Sequence, residues 1–232
     1  MVKRPISKSK FVIAFALTFV IFIIGILLGV FISELRASNL ESLIEDQNLD
    51  LDSFQLQYSY ISDTVEKEND CIVVYQSLEE NVVVLNDAAD KLNKFISESN
   101  NDFRGYASLR RNYILSQLRY WLLTEKFKNI CELDVVSVLY FFSNSECYNC
   151  DTQGFVLDNL KHDLGDRFLV FAIEGDFAEE PMVNIVKSSY YVDKFPTLII
   201  NNEKFDKFMD RDVLLKEICS VYKNKPDVCE NG

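Results

Sequence analysis

The 22 residues from Phe11 to Ile32 form an apolar run without a single charged side chain. As a helix rising about 1.5 Å per residue, the run measures roughly 33 Å, which is enough to cross the ~30 Å hydrocarbon core of a membrane. A cleaved signal peptide is the alternative, but its apolar core usually has about 7–15 residues and precedes a small-residue cleavage site, which is not evident here. We therefore predict an uncleaved transmembrane helix over residues 11–33.

The charges on the two sides of this run predict its orientation. All four charged residues before it are basic and lie in the tail 1–10, whereas Glu34 follows it directly. Because basic residues are retained on the cytoplasmic side, the tail is predicted to be cytoplasmic and the remaining chain to lie outside the cytoplasm. The chain is thus expected to be a single-pass protein of the cell membrane.

The formal net charge of −12 excludes one broad class of partner. With a basic N-terminal tail, the part beyond the apolar run is even more acidic than this total. Such a body repels phosphate backbones, so we expect no nucleic-acid partner.

Residues 34–130 show the spacing of amphipathic helices. Apolar side chains recur every three or four positions from Leu51 to Val65, again after Cys71, and again from Tyr106 to Phe127. A polar break at residues 97–102, with Asp102 as a possible N-cap, separates the last two stripes. We interpret the region as two or three helices forming a stalk or hairpin. The same pattern also fits an oligomerising coiled coil and self-association.

Two cysteines lie at equal distances from this break. Cys71 and Cys131 are each 30 residues from Asn101, so a hairpin turning there brings the two sulfurs level. A structural disulfide between them is our hypothesis, and two unrelated buried thiols are the alternative.

The pattern changes to mixed α/β over residues 131–222. Val135–Phe142 is apolar enough to be a strand buried on both faces. The complete predicted order is β-α-β-α-β-β-α, with a tight turn at Asn201-Asn202 and a C-terminal tail over 223–232. The predicted elements after the first strand are a helix at 151–164, a strand at 167–173, a helix at 181–190, strands at 197–200 and 203–208, and a helix at 213–222.

Two motifs occur at matching points of this order. Cys147-Tyr148-Asn149-Cys150 lies between the first strand and its helix, and Phe195-Pro196-Thr197 directly precedes the third strand. In both respects residues 135–222 resemble the thioredoxin superfamily of disulfide oxidoreductases. The resemblance implies a thioredoxin-like α/β fold and a cis proline at Pro196. It also implies that Phe195, Pro196 and Thr197 bind an extended substrate segment as an added strand.

The spacing of Cys147 and Cys150 also has a physical reason. A thiolate at the start of a helix is stabilised by unpaired amides and the helix dipole, so Cys147 is predicted to be the nucleophile. Cys150, one turn further on and less exposed, is predicted to be the resolving cysteine. Glu146 is a candidate for proton transfer or for tuning the pKa of the thiol. Phe141 stands where thioredoxins carry a buried aspartate.

The remaining cysteines, Cys219 and Cys229, are ten residues apart with Pro226 between them. We predict a disulfide that staples the tail; a buried Cys219 with a free Cys229 is the alternative. One histidine and one C-x-x-C pair do not make up a tetrahedral zinc site, so no metal is expected. No cofactor is expected either.

These features predict a membrane-tethered thiol–disulfide oxidoreductase acting outside the cytoplasm. Its partners would be cysteine-containing protein substrates and a redox partner that the sequence does not identify. Whether it oxidises, reduces or isomerises disulfides is open, because Tyr148-Asn149 matches neither the reducing nor the strongly oxidising members of the superfamily. The alternative is a non-catalytic thioredoxin-like module that binds partners or acts as a scaffold at the membrane.

Overall fold

A computed structural model describes residues 8–65, 71–97, 103–145 and 147–230, with only the backbone course for residues 8–11, 14 and 33–52. Glu146, the polar break at 98–102 and the basic residues Lys3 and Arg4 lie outside the described residues. The chain divides into two compact units, Met1–Phe54 and Gln55–Gly232.

The first unit is helical. Helix α1 runs from Lys8 to Thr64, and its stretch Phe15–Ile32 is apolar, exposed and long enough to span a membrane. The uncharged exposed surface of this stretch is unfavourable in water. An apolar helix near the N-terminus fits either a membrane anchor or a signal sequence.

Two antiparallel helices open the second unit. Helix α2 runs from Ile72 to Ser97 and helix α3 from Phe103 to Phe127. A disulfide joins Cys71, just before α2, to Cys131, just after α3, with their Cα atoms 5.6 Å apart. Ile61 and Val65 at the end of α1 pack into the same cluster. Within the described residues α2 packs on α3 of the same chain, and nothing there supports a coiled coil.

A four-stranded sheet and its helices follow. The strands alternate with helices α4 and α5, and the two-residue turn Asn201-Asn202 connects the last two strands with positive φ at both positions. The elements are β1 (Val136–Phe142), α4 (Cys150–Leu164), β2 (Phe168–Glu174), α5 (Pro181–Ser189), β3 (Thr197–Ile200), β4 (Glu203–Phe205), α6 (Arg211–Val221) and α7 (Asp227–Glu230).

The strands lie in the order β2-β1-β3-β4. Strand β1 is parallel to β2 and antiparallel to β3, with Phe141 opposite Thr197, and β3 is antiparallel to β4. The predicted mixed α/β architecture is therefore present. Strand β1 lies inside the sheet, so its seven residues need apolar partners on both faces.

The alternation of β1 supplies these two faces. Val136, Val138 and Tyr140 point into a core formed with α4 and α6, whereas Leu139 and Phe141 point into a core formed with α3 and α5. Because successive strand residues face opposite sides, the apolar residues of β1, interrupted only by Ser137, fill both cores.

Helix α3 also covers the outer edge of β2. The side-chain amide of Gln117 accepts a hydrogen bond from the Ala172 N–H (2.8 Å) and donates one to the Ala172 carbonyl (2.9 Å). Gln117 is only 2% exposed. It therefore pairs with β2 as a neighbouring strand would, at an edge where backbone groups otherwise lack partners.

Helix α3 belongs to the same compact unit as the sheet, Gln55–Gly232. Ile114, Leu118 and Trp121 of α3 pack in the same core as β1 and β2, so α3 is part of the α/β unit.

The C-terminal tail is fixed at two points. A disulfide joins Cys219 of α6 to Cys229 of α7. The Asp134 carboxylate accepts hydrogen bonds from the backbone N–H groups of Lys223 and Asn224, both at 3.1 Å, and pairs with Arg167. The tail is thus held against the sheet domain.

The edge contact predicts a specific loss of stability. Gln117→Leu keeps the side-chain volume but leaves the Ala172 N–H and carbonyl unpaired, so we expect the free energy of unfolding to fall by about 2–3 kcal/mol. Urea unfolding of the full chain in detergent measures this. Gln76→Leu, on the exposed face of α2, is the control and should change it by less than about 0.5 kcal/mol. Equal effects of the two substitutions would contradict the role of Gln117.

Candidate functional site

The cysteine pair lies where β1 ends and α4 begins. Cys147 and Cys150 form a disulfide, with Cα atoms 5.4 Å apart. Cys147 is partly exposed, Cys150 is 4% exposed, and Tyr148 between them is fully exposed. One sulfur is therefore within reach of an external molecule, while the other lies behind it.

Helix α4 begins at Cys150, three residues after Cys147. The prediction that Cys147 lies in the first helical turn is corrected: residues 148 and 149 form a turn, and the Asn149 carbonyl accepts the Gln153 N–H at 2.9 Å. The Asn149 side chain does not cap the helix. The first amides of α4 thus have no cap from this side chain, and the Cys147 sulfur lies at the positive end of the helix.

Tyr140 forms a hydrogen bond with the first residue of this helix. Its hydroxyl donates a 2.6 Å hydrogen bond to the Cys150 carbonyl, and the residue is 4% exposed. Burial, and to a smaller degree the charge of Asp151, raise the pKa of Tyr140 above its usual range. The phenol therefore stays protonated and remains a donor.

The Phe195–Pro196 peptide bond is cis. Because Thr197 lies opposite Phe141 in the antiparallel pair of β3 and β1, this peptide lies beside the end of β1, from which the cysteine segment continues. The structure thus brings the two sequence motifs to the same end of the sheet, where β1 finishes and β3 begins.

Thr197 lies at the start of β3, directly after the cis proline. It is fully buried, and its hydroxyl donates a 2.8 Å hydrogen bond to the Lys194 carbonyl. Its backbone pairs with Phe141. The Thr197 hydroxyl and backbone are therefore both paired within the protein.

Phe195 is held by a glycine and a lysine. A Cβ added at Gly175 would lie 2.5 Å from Cζ of Phe195, so only glycine leaves room for the ring. Lys187 donates a 2.6 Å hydrogen bond to the Gly175 carbonyl and lies 5.2 Å from the centroid of the Phe195 ring. The position of the residue before the cis proline thus depends on the segment after β2.

The three residues after β1 are tied to two carboxylates. Ser143 and Ser145 donate hydrogen bonds to one oxygen of Asp176, at 2.7 and 3.0 Å, and Asn144 donates one to Glu174 at 3.0 Å. Burial acts to raise the pKa of Asp176, but these two hydroxyls and the Arg110 charge together hold it below its ordinary value. Asp176 therefore stays ionised and anchors the segment that leads to Cys147.

Other predicted site features stand as follows. Phe141 is fully buried in the core shared with α3 and α5 and has no polar role. Glu146, assigned above to proton transfer, lies outside the described residues. In the described part of the chain, no three His, Cys, Asp or Glu side chains converge in a way that would hold a metal ion.

Sequence reasoning did not find several residues of this site. Tyr140 reads as one more apolar residue of a strand, and Glu174 and Asp176 read as part of a solvated acidic surface. Gly175, the single glycine between these two acids, was the one local signal of a close contact. Arg110 lies in a different region of the sequence, so nothing local relates it to the cysteines.

The comparisons with known proteins found no matching family model and no matching curated protein. Among solved structures, a malarial protein is 26% identical, covering 36% of this chain and 93% of its own, with a TM-score of 0.31. Chloroplastic thioredoxin z is 16% identical, covering 42% and 87%, with a TM-score of 0.34. The germline-specific thioredoxin Deadhead of Drosophila melanogaster is 22% identical, covering 40% and 85%, with a TM-score of 0.27. All three TM-scores are below 0.5, so the function proposed below is argued from this chain's own residues.

Alanine substitutions at Gly175 and Gly154 are expected to change the free energy of unfolding in opposite directions. Gly175→Ala forces the Phe195 ring to move, so we expect a loss of about 1–3 kcal/mol in the free energy of unfolding. Gly154→Ala is the matched control: in helix α4 its Cβ would meet only Cε1 of Tyr140, at 3.9 Å. It should stabilise the protein by about 0.5–1 kcal/mol. Urea unfolding measures both, and a neutral Gly175→Ala would contradict the packing described for Phe195.

Proposed function

We propose that this chain is a thioredoxin-like thiol–disulfide oxidoreductase tethered to the cell membrane and acting outside the cytoplasm. The observation that carries the proposal is the disulfide between the partly exposed Cys147 and the buried Cys150 at the start of α4. The cis Phe195–Pro196 peptide lies at the same end of the sheet and adds a backbone surface for an extended partner.

The reaction begins with the dithiol form when the chain acts as a reductant. The Cys147 thiolate, stabilised by the amides of α4, attacks one sulfur of a partner's disulfide. A mixed disulfide forms between Cys147 and the partner, and the partner's second sulfur leaves as a thiolate. One disulfide bond has been broken and one has formed, so the exchange is half complete.

Cys150 completes the exchange. Its thiolate attacks the Cys147 sulfur, which forms the intramolecular disulfide and releases the partner's first sulfur as a thiolate. The chain has then lost two electrons and the partner has gained them; the Cys150 proton goes to solvent, and the partner's two thiolates take up protons from solvent. The reverse sequence, starting from the disulfide form, oxidises a dithiol partner. The reduction potential of the pair determines the direction.

The other two disulfides support an extracytoplasmic location. Cys71–Cys131 and Cys219–Cys229 are remote from the site, and together the three pairs use all six cysteines of the chain. Disulfides of this structural kind persist outside the cytosol, where thiols are not kept reduced. The side of the membrane predicted from the basic tail is therefore also the side on which these pairs would survive.

The two cysteines of the site should behave differently towards oxidised glutathione. After mild reduction, we expect Cys150→Ser in the full chain in detergent to accumulate a glutathione adduct at Cys147, because no resolving thiol displaces it. Wild type should not accumulate it, and Cys147→Ser should react at least about tenfold more slowly. Mass spectrometry of alkylated peptides measures all three.

The structural pairs provide the internal control, since both must remain bonded in every variant during mild reduction. If Cys147 of Cys150→Ser collects no adduct while these pairs are intact, the oxidoreductase proposal fails. A non-catalytic thioredoxin-like binding or scaffold module would then be the better description.

The proposed anchor makes a separate prediction. A chain with an N-terminal epitope, expressed in cells, should keep the epitope, resist carbonate extraction and expose residues 55–232 to protease added from outside. The epitope itself should be protected until the membrane is opened. Loss of the epitope with release of a soluble product would identify the helix as a cleaved signal sequence.

A further inference from the structure

Arg110 of α3 reaches the cysteine segment through two contacts. It forms an ion pair with Glu174, the last residue of β2, and Glu174 accepts the 3.0 Å hydrogen bond from Asn144. Asn144 is three residues before Cys147, a distance of at most about 11 Å in extended chain. The ion pair therefore lies within one short segment of the reactive sulfur.

This ion pair is well shielded from solvent. The side chains of Arg110 and Glu174 are 20% and 10% exposed. The Arg110 guanidinium also lies 4.9 Å from the ring centroid of Phe177 and 5.7 Å from that of Tyr106. Cation–π contacts of this kind stabilise the guanidinium where it lies, and a shielded pair is screened by salt much less than an exposed one.

The charges around the segment make Arg110 important. Glu174 and Asp176 place two carboxylates against residues 143–145, and negative charge nearby disfavours a thiolate. The Arg110 charge acts on both of them, through the ion pair with Glu174 and through its electrostatic effect on Asp176. Arg110 is thus a cation that offsets the carboxylates on which the segment depends.

We propose that Arg110 is a positioning residue of the redox site, which fixes Asn144 through Glu174 and sets the balance between the dithiol and disulfide forms. The inference rests on the proposed function and extends it. Arg110 lies outside residues 135–222, which carry the resemblance to thioredoxins. Helix α3 then completes the site instead of serving only as part of a stalk.

The experiment measures the equilibrium of the full chain in detergent with reduced and oxidised glutathione. Arg110→Gln removes the cation paired with Glu174, so we expect the equilibrium to shift about tenfold towards the disulfide form, which corresponds to about 30 mV. Glu174→Gln keeps an acceptor for Asn144 but removes one negative charge. It should shift the equilibrium in the opposite direction, towards the dithiol.

The neighbouring arginine is the matched control. Arg111 pairs with Glu180, a carboxylate that is 3% exposed, at 2.7 Å, and Glu180 caps α5 through the Met182 N–H. Arg111→Gln therefore also leaves a buried carboxylate unpaired, but away from residues 143–145. We expect its redox equilibrium to stay within twofold of wild type. Arg110→Lys, which keeps the charge, should recover at least half of the shift.

The outcomes separate the two proposals. Opposite shifts in Arg110→Gln and Glu174→Gln, with none in Arg111→Gln, support the inference. Unchanged equilibria in both Arg110→Gln and Glu174→Gln, or an equal shift in Arg111→Gln, overturn it and leave the oxidoreductase proposal standing. If Arg110→Gln does not fold, the direction of the Glu174→Gln shift decides. A wild-type pair that does not exchange with glutathione overturns both proposals.

Discussion

The contact between Gln117 and Ala172 joins helix α3 of the helical hairpin to strand β2 of the sheet. One buried amide satisfies both free backbone groups of Ala172, and Arg110 and Arg111 bind carboxylates at either end of the β2–α5 connection. These contacts fix helix α3 in its register along the strand. The sheet, the helical hairpin and the cysteine segment therefore form one cooperative structure, in which α3 is the element common to all.

The sequence predicted the elements that depend on local pattern. The turn at Asn201-Asn202 follows from residues that tolerate positive φ, and the two-faced burial of β1 follows from its almost entirely apolar sequence. The spacing of Cys147 and Cys150 identified two residues that the structure joins in a disulfide. Each of these signals is contained within a few consecutive residues.

The position of α3 was not predictable in this way. Its apolar stripe is compatible with a hairpin, a stalk or a coiled coil, and the choice is made by residues far away in sequence, such as Ala172 and Glu174. Polar residues at buried positions, Gln117 above all, weaken the periodic signal that would otherwise mark a core helix. Arg110 was missed for the same reason: it precedes the motifs of the site by more than thirty residues, so no local pattern connects it to them.

At the far side of the sheet, β4 is only three residues long, and Glu203 and Lys204 are exposed on it. A long bare edge strand is a template for intermolecular pairing and aggregation. Chains confined to a two-dimensional surface by the proposed anchor would meet one another often. Because β4 is short and charged and helix α3 covers the edge of β2, many copies would lie close together without their sheets pairing.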